Sequence, residues 1–419
     1  MTLLHIRARS SLLSLPASSS RCMTEFARRM STETVAKPRF RSRSVVVSNI
    51  PPSFTMRQFL ALKGAGRSIE SVAVNPEKQQ VEINYLFRRG PDPLFASKSK
   101  NELVLDGQAL DVQYLDHRPL PVEVIAAIGL KGASRKIIVN QLPKRDAKWT
   151  EKDLMEEMSR FGTVENVWLD EAGEKATVTF SDILTAVKAH KTLRTEEGVE
   201  AGGVRFYSDA TNSRNPDASM EEDGSRTVYL SGLPLDITPA RLLKDLKPLF
   251  VYERGEPLAN ITMHKNTAFL QFTFPSLAKL FYDSYRPTRG IEKAWARSEN
   301  NIGEQLLSAV KLGATRTVYI SKFNDPRINF ERLKEDFSKF GRIATVYVDW
   351  KSRQAFIEFC DIPSACKAID HIAENNRNFS IYADAHFNFG KHIKYGEKLH
   401  LVQPLVIATA ESQKVAATA

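Results

Sequence analysis

The chain has 419 residues, carries 59 lysines and arginines against 49 aspartates and glutamates, and has a formal net charge of +10. No apolar stretch approaches the ~20 residues that a membrane-spanning helix needs, so the sequence predicts no membrane insertion. Three cysteines make no disulfide framework, and their spacing is not that of zinc ligands. The moderate basic excess is compatible with an anionic partner but does not require one.

The N-terminal segment has a composition of its own. It is rich in serine, contains one acidic residue, Glu25, and carries five arginines: Arg7, Arg9, Arg21, Arg28 and Arg29. Such an arginine-rich, acid-poor segment predicts a mitochondrial presequence over residues 1–30, and with it a location in the mitochondrial matrix. The alternative is a basic tail on a protein of the cytoplasm or nucleus.

Four segments of the remaining chain open with the same pattern, an apolar strand followed by a turn. The openings begin at Val45, Ile137, Val228 and Val318, which are 92, 91 and 90 positions apart. Each interval is long enough for a small domain with its own core, so the spacing predicts an array of domains and not a solenoid. The four domains, called repeats 1 to 4 below, are placed at residues 44–116, 135–209, 226–299 and 316–390, followed by a tail at 391–419.

The segments between the repeats differ in composition. Residues 209–225 are polar and acidic, which predicts a flexible joint that divides the chain into two pairs of repeats. Residues 122–131 and 302–311, one inside each pair, have apolar residues at helical spacing and run into the similar phrases Gly-Ala-Ser-Arg and Gly-Ala-Thr-Arg. They predict short helices that pack on a neighbouring domain or cover a sheet face; a partly ordered connector is the alternative.

Repeat 4 shows the order of elements most clearly. Apolar and polar residues alternate from Val318 to Ser321, and a helical pattern then ends at Gly341. Strands at 343–348, 355–359 and 385–389 and a second helix at 362–372 complete the repeat. The order βαββαβ predicts an α+β fold of the ferredoxin-like, split-βαβ type, with a four-stranded antiparallel sheet and two helices on one face.

With this order of elements, two strand motifs of repeat 4 resemble the RNA-recognition motif. That family has an aromatic residue second in a six-residue first-strand motif and a third-strand motif of the type K/R-G-F/Y-G/A-F-V-x-F/Y. Repeat 4 has Tyr319 in the first motif and Phe356 at the centre of the second, whereas Gln354 replaces the outer ring. The resemblance implies an open sheet face on which unpaired bases stack while basic groups meet phosphate.

Repeat 3 matches the pattern at the same places. Tyr229 lies in the first motif, Lys265 takes the basic position of the second and Phe269 its centre, while Thr267 replaces the outer ring. The RNA-binding residues predicted from the two repeats are Tyr229, Lys265, Phe269, Tyr319, Lys351, Arg353 and Phe356. The closing residues of the third-strand motifs, Phe272 and Phe359, are expected to point into the core.

Repeats 1 and 2 keep the order of elements but lose the rings. The equivalent positions are Val46, Gln80 and Glu82 in repeat 1 and Ile138, Lys175 and Thr177 in repeat 2. Trp168, on the second strand of repeat 2, could compensate for the missing rings, although the sequence favours a partly buried packing role. Repeat 2 has 12 basic and 14 acidic residues, whereas repeat 3 has 11 and 7 and is the only clearly basic one. Repeats 3 and 4 are therefore predicted to bind RNA, and the degenerate repeats 1 and 2 to bind it weakly.

A closer resemblance rests on the last hundred residues. The stretch from Leu307 to Ile320, together with Phe387 to Lys391, is similar to the fungal four-motif RNA-binding proteins of the negative-regulator-of-differentiation type. In that family four such modules bind single-stranded RNA, often mRNA. The resemblance implies a role of the same kind for this chain.

The sequence contains none of the histidine, phosphate-loop or serine motifs that indicate catalysis, so it predicts no enzyme, metal or cofactor. The first hypothesis is a mitochondrial protein that binds single-stranded mRNA or rRNA and acts in RNA stability, processing or translation. The second is an assembly scaffold of the mitochondrial ribosome or another ribonucleoprotein, with repeats 1 and 2 contacting protein. A combination of the two, and a cytosolic or nuclear mRNA regulator, remain open alternatives.

Overall fold

The computed structural model describes residues 42–66, 68–116, 118–140, 142, 148–195, 203–207, 224–252, 255–297, 301–375, 380–390, 402–403 and 405–406. The predicted presequence, most of the predicted acidic joint and most of the predicted tail lie outside these residues. Within them, no helix is both long and apolar enough to cross a bilayer.

Each repeat folds in the order βαββαβ. Repeat 1 has strands Ser44–Ser48, Ile69–Asn75, Gln80–Tyr85 and Asp111–Tyr114 and helices Met56–Ala61 and Asp92–Ser99, with a small hairpin of Val104–Leu105 and Gln108–Ala109 before the last strand. Repeat 2 has strands Lys136–Val139, Val164–Leu169, Ala176–Phe180 and Val204–Phe206 and helices Glu151–Ser159 and Ile183–Leu193.

The second pair of repeats has the same elements. Repeat 3 has strands Thr227–Ser231, Leu258–His264, Thr267–Phe272 and Glu292–Trp295 and helices Pro239–Leu246 and Pro275–Ser284, with a 3-10 turn at Lys247–Leu249. Repeat 4 has strands Thr317–Ser321, Ile343–Asp349, Gln354–Phe359 and His386–Phe389 and helices Phe330–Ser338 and Ile362–Glu374.

In all four sheets the strands lie in the order second, third, first, fourth, and all these pairings are antiparallel. The first and third strands, which carry the two motifs, are therefore adjacent at the centre. Side chains alternate across the sheet, so Val318 and Ile320 are buried in the core whereas Tyr319 between them is half-buried on the other face. The predicted α+β, split-βαβ fold is confirmed.

Polar side chains fix where the helices begin. The first helix of every repeat is capped by a side chain that accepts a hydrogen bond from the backbone N–H three residues later: Thr55, Thr150, Thr238 and Asn329. Asp182 and Asp361 cap the second helices of repeats 2 and 4 in the same way. These caps satisfy amide groups that have no partner inside the helix.

Within each pair, the two repeats are joined by a backbone hydrogen bond at the same place. The Val72 N–H of repeat 1 donates to the Ser181 carbonyl of repeat 2 (2.8 Å), and the Ile261 N–H of repeat 3 donates to the Cys360 carbonyl of repeat 4 (2.9 Å). Both donors follow an irregularity in the second strand of the odd-numbered repeat. Repeats 1 and 2 are thus related to each other as repeats 3 and 4 are.

Both predicted linker helices form. The first, Val122–Lys131, has the predicted bounds, and the second spans Glu304–Leu312. Each ends at a glycine in the left-handed region, Gly132 with φ 63° and Gly313 with φ 112°, where a side chain would be strained. The repeated Gly-Ala-Ser-Arg and Gly-Ala-Thr-Arg phrases are therefore helix stops.

The linker helices pack against each other and so connect the two pairs of repeats. A Cβ atom on Gly129 would lie 3.0 Å from the Ala309 Cβ and 3.3 Å from the Cys366 Sγ, so a side chain here would push the neighbouring atoms away by a few tenths of an ångström. Lys131 also bridges to Asp370 of repeat 4, with an Nζ–Oδ2 distance of 2.7 Å. One hydrophobic core runs through repeat 2, both linker helices and repeat 4. The joint divides the sequence into two pairs, but the fold holds them together.

Two short strands near the C-terminus add to this connection. Leu405–Val406 pairs with the fourth strand of repeat 4 as a fifth strand, and Val402–Gln403 pairs in parallel with Leu120–Pro121 before the first linker helix. These two strands therefore contact both pairs of repeats.

Candidate nucleic-acid interface

The open sheet face of repeat 3 brings two of the predicted rings together. Tyr229 and Phe269 are directly paired across the first and third strands, with ring centroids 5.0 Å apart and planes inclined by 47°. The Phe269 side chain is 38% exposed, and Tyr229 is half-buried beside it. The row continues to Thr262 on one side and Ala294 on the other, so the two rings lie at the centre of the face between two small side chains.

Repeat 4 has the same pair of rings and a third one. Tyr319 and Phe356 are paired with centroids 4.9 Å apart, and Tyr347 of the second strand is paired with Phe356 with centroids 6.3 Å apart. Tyr347 is 58% exposed. The three rings form a continuous row in the middle and at one edge of the sheet, opposite Asn388 on the other side.

Tyr347 was missed by the sequence comparison. The motif of the family includes the first and third strands, and the second strand has no position in it. The signal was present, because alternation along Ile343–Asp349 places Tyr347 opposite the inward-facing Val346. Tyr347 supplies on the second strand a ring that the third strand lacks at Gln354.

The predicted basic residues lie in the turns between the second and third strands. Lys265 and Arg353 are exposed at positive-φ positions, 50° and 52°. The Arg353 Nη1 donates to the Asn324 Oδ1 at 2.7 Å, so this guanidinium is already held by a neighbouring loop. Lys351 is exposed and donates its backbone N–H to the Asp349 carboxylate at 2.9 Å. We therefore rank Lys265 above the other two as a phosphate contact.

The turns of repeats 3 and 4 differ in charge, because only the turn of repeat 4 begins next to a carboxylate, that of Asp349. The Ser352 hydroxyl donates to its Oδ2 at 2.6 Å, and this hydrogen bond is the main reason that the pKa of Asp349 lies below its ordinary value. The equivalent position of repeat 3, by its pairing in the hairpin, is His264. The turn of repeat 3 thus lacks the fixed negative charge that lies beside Lys351, and it is the better site for phosphate.

The last residues of the third-strand motifs point inward as predicted. Phe272 and Phe359 are buried in the cores of repeats 3 and 4. They support the sheet from the helix side, so the rings that could meet a ligand are those of the opposite face.

A buried ion cluster holds the two ring-bearing repeats together. Arg316, fully buried at the start of repeat 4, donates from Nε to Glu256 of repeat 3 and from Nη2 to Glu358 of repeat 4, both at 3.2 Å. Lys247 of repeat 3 also contacts Glu358, with an Nζ–Oε2 distance of 2.9 Å. Burial opposes the charge of Arg316, but the two carboxylates outweigh it, and its pKa lies above the ordinary value.

Repeat 1 has a sheet face unsuited to phosphate. Its central row consists of Ala73, Glu82, Val46 and Gln113. Arg118 lies 3.2 Å from the Glu82 carboxylate and neutralises it in part. The row holds no ring, which agrees with the sequence comparison.

The equivalent row of repeat 2 differs from expectation at one residue. It runs from Trp168 through Thr177 and Ile138 to Arg205. Trp168 is 55% exposed on the open face, so the expected partly buried packing role is wrong. The alternation of the second strand places Trp168 opposite the buried Val167.

The cysteines and the acidic residues suggest no further chemistry. Burial raises the pKa of the Cys360 and Cys366 thiols, as befits packing residues. In the part of the chain that the structure describes, no group of three histidine, cysteine or acidic side chains is placed to hold a metal ion.

Comparisons with known proteins give two relatives. The chain is 22% identical over 356 residues to the meiotically up-regulated gene 24 protein of Schizosaccharomyces pombe, which covers 78% of this chain and 53% of that protein. It is 21% identical over 414 residues to the RNA-binding protein MRN1 of Saccharomyces cerevisiae, which covers 84% of this chain and 66% of that protein. The chain spans less than two thirds of the length of each relative.

Among solved structures, the chain is similar to the N-terminal three RNA binding domains of the yeast splicing factor Prp24. The identity is 16%, the match covers 56% of this chain and 90% of that one, and the TM-score is 0.15. A TM-score this low carries no argument about the arrangement of the repeats. No protein-family model matches the chain. The order of strands in the four sheets and the paired rings on the first and third strands of repeats 3 and 4 are those expected of the RNA-recognition-motif fold.

Proposed function

We propose that the protein binds single-stranded RNA, either mRNA or rRNA, on the open sheet faces of repeats 3 and 4. The observation that carries the proposal is the pair of adjacent rings at the same register in both repeats, Tyr229 with Phe269 and Tyr319 with Phe356. Every base has a flat face that can stack on such a ring, and the bases of a single strand are free to do so. Lys265 meets the phosphate backbone beside the rings of repeat 3.

The proposal is tested by removing the central ring of each face in the full chain. Each stacked base is worth about 1–3 kcal/mol, so the double variant Phe269→Ala with Phe356→Ala should bind RNA at least about thirty-fold more weakly. The fold should persist, because both rings point away from the core. Fluorescence anisotropy with a labelled single-stranded RNA, at one fixed salt concentration, measures the affinity.

Phe330→Ala is the matched control. Phe330 is 46% exposed, more than either ring, but lies at the start of a helix in repeat 4. It should leave the affinity unchanged. If the double variant binds as tightly as Phe330→Ala and the wild type, the sheet faces are not the RNA site.

We also propose that the protein acts in the mitochondrial matrix, in the stability, processing or translation of its RNA targets. The support is the arginine-rich, acid-poor composition of residues 1–30. Removal of residues 1–29 should leave the protein outside mitochondria in fractionated cells. An unchanged distribution would contradict the presequence and leave a cytoplasmic or nuclear role.

A contact with protein is the second candidate function, and it applies to repeat 1. The observation that favours it is Glu82, paired with Arg118, at the centre of a face without rings. Replacement of Val46 beside it by Glu should abolish crosslinks to a protein partner while RNA affinity stays the same. A loss of RNA affinity would instead make this face part of the RNA site.

A further inference from the structure

The open face of repeat 2 is built differently from those of repeats 3 and 4. Its first row is Trp168, Thr177, Ile138 and Arg205, and the next row along the strands is Asn166, Thr179, Lys136 and Tyr207. Trp168 is 55% exposed and Tyr207 is 39% exposed. Two rings are therefore available on this face, although neither lies at a motif position of the family.

The two rings lie toward opposite edges of the sheet. Trp168 belongs to the second strand, and Tyr207 directly follows the fourth, with the third and first strands between them. Neighbouring strands are about 4.8 Å apart, so the two strands are separated by roughly 14 Å. The rings cannot stack on each other and would each take a separate base.

Basic side chains lie beside both rings. The Lys136 Nζ lies 5.4 Å from the centroid of the Tyr207 ring, and Arg205 is exposed in the row of Trp168. Among the eight described residues of the two rows there is no carboxylate. Repeat 1, by contrast, carries Glu82 at the centre of its face.

The acidic residues of repeat 2 lie outside these two rows, and one of them, Asp170, follows Trp168 by two residues on the same side of the sheet. Four of its acidic residues lie on the first helix of the repeat, in the helix layer: Glu151, Asp153, Glu156 and Glu157. Glu165 is paired with the buried Arg135, with an Oε1–Nη1 distance of 2.7 Å. The charge count over the whole repeat therefore hides a sheet face that bears only positive side chains in these rows.

Repeat 4 provides an internal parallel. Tyr347 holds the same position on the second strand as Trp168, because each is paired with the central residue of the third-strand motif, Phe356 in one case and Thr177 in the other. The repeats also occupy the same place in their pairs, as the hydrogen bonds from Val72 and Ile261 show. An exposed second-strand ring is thus a feature of the second repeat in each pair.

We propose that the open face of repeat 2 is a further site for single-stranded RNA, in which Trp168 and Tyr207 stack bases and Arg205 and Lys136 contact phosphate. Two neighbouring rows that hold rings and cations and no carboxylate are complementary to a polyanion with flat bases. The face is distinct from those of repeats 3 and 4, and a single strand that contacts several faces gains affinity from each, so the loss of either set of rings weakens binding of the full chain.

The test compares Trp168→Ala with Trp168→Phe in the full chain. Loss of the ring should weaken the binding of a random-sequence single-stranded RNA by about 5- to 150-fold, whereas the Phe variant should retain most of the affinity. Met155→Ala is the control, because Met155 is 40% exposed in the same repeat but lies in the helix layer. It should bind like the wild type.

Two further measurements separate this site from the others. After ultraviolet crosslinking to RNA, the peptide that contains Trp168 should carry nucleotide in the wild type and in the Phe269→Ala, Phe356→Ala double variant. Arg205→Gln should lower the slope of log affinity against log salt by about 0.7.

Each opposing result would overturn the proposal. Wild-type affinity of Trp168→Ala, with no nucleotide on that peptide, would remove RNA from this face. Loss of a crosslinked protein in Trp168→Ala, with RNA affinity unchanged, would make the face a protein contact instead. Loss of crosslinks in the double variant alone would show that this face has no affinity of its own.

Discussion

Replacing Arg316 by Met should loosen the contact between repeats 3 and 4 specifically. The guanidinium is fully buried and joins Glu256 of repeat 3 to Glu358 of repeat 4, and its Nη1 also donates to the Phe359 carbonyl at 3.1 Å. Met has a similar shape but offers no charge. The variant leaves two carboxylates at the interface without the cation that joined them.

The expected loss of stability at the interface depends on the contacts that remain in Arg316→Met. Removing one partner of a buried ion pair costs about 3–5 kcal/mol, because a charge is left buried without compensation. Glu358 keeps Lys247, so we expect the lower end, about 3 kcal/mol, for opening the interface. Arg160→Met is the control: the Arg160–Glu157 pair is 3.0 Å long but exposed, and such pairs contribute about 0–1 kcal/mol.

Hydrogen exchange measures the opening of the interface at single amides. A local measurement is needed because a chain of several repeats need not unfold in one step. The Ile261 N–H, which donates to the Cys360 carbonyl across the interface, should exchange about 150-fold faster in Arg316→Met. The Val72 N–H, which makes the equivalent bond between repeats 1 and 2, should be unchanged. Equal acceleration at both amides, or none beyond that in Arg160→Met, would refute the assigned role of the cluster.

Two further predictions concern the ring row and the turns. Tyr347→Ala should weaken RNA binding by about 1–3 kcal/mol in anisotropy titrations while Tyr347→Phe binds nearly normally, and equal affinities of the two variants would exclude stacking at this position. Lys265→Ala should lower the salt slope by about 0.7, whereas Arg353→Ala should lower it less because Asn324 already holds that guanidinium. The reverse order of the two slopes would show that Arg353 leaves Asn324 to bind phosphate.

The local sequence pattern was sufficient to predict the fold and part of the candidate interface. Alternation and motif position placed Tyr229 and Phe269 side by side, because adjacent central strands are a fixed consequence of the βαββαβ order. The first linker helix could be bounded from its apolar spacing and from Gly132, which stops it. These features depend on neighbours in the sequence.

The remaining features depend on residues far apart in the chain. Trp168 and Tyr347 lie on strands outside the family's two motifs, and their exposure follows from the register with the third strand. The contact of the linker helices depends on Gly129 meeting Ala309, and Lys131 reaches Asp370 across 239 positions. The charge count of repeat 2 does not show where its charges lie, because a total over a repeat does not distinguish its sheet face from its helix layer.

The contact between the linker helices changes what the array can do with a strand of RNA. Domains on a flexible joint must be ordered relative to one another when one ligand binds several of them, and this ordering opposes binding. Here Gly129, Lys131 and the shared core fix repeat 2 against repeat 4 before any ligand arrives. The faces that carry Trp168 and Tyr347 are therefore held in a fixed relation, and under the binding proposed above an RNA that spans them would bind without the cost of arranging the repeats.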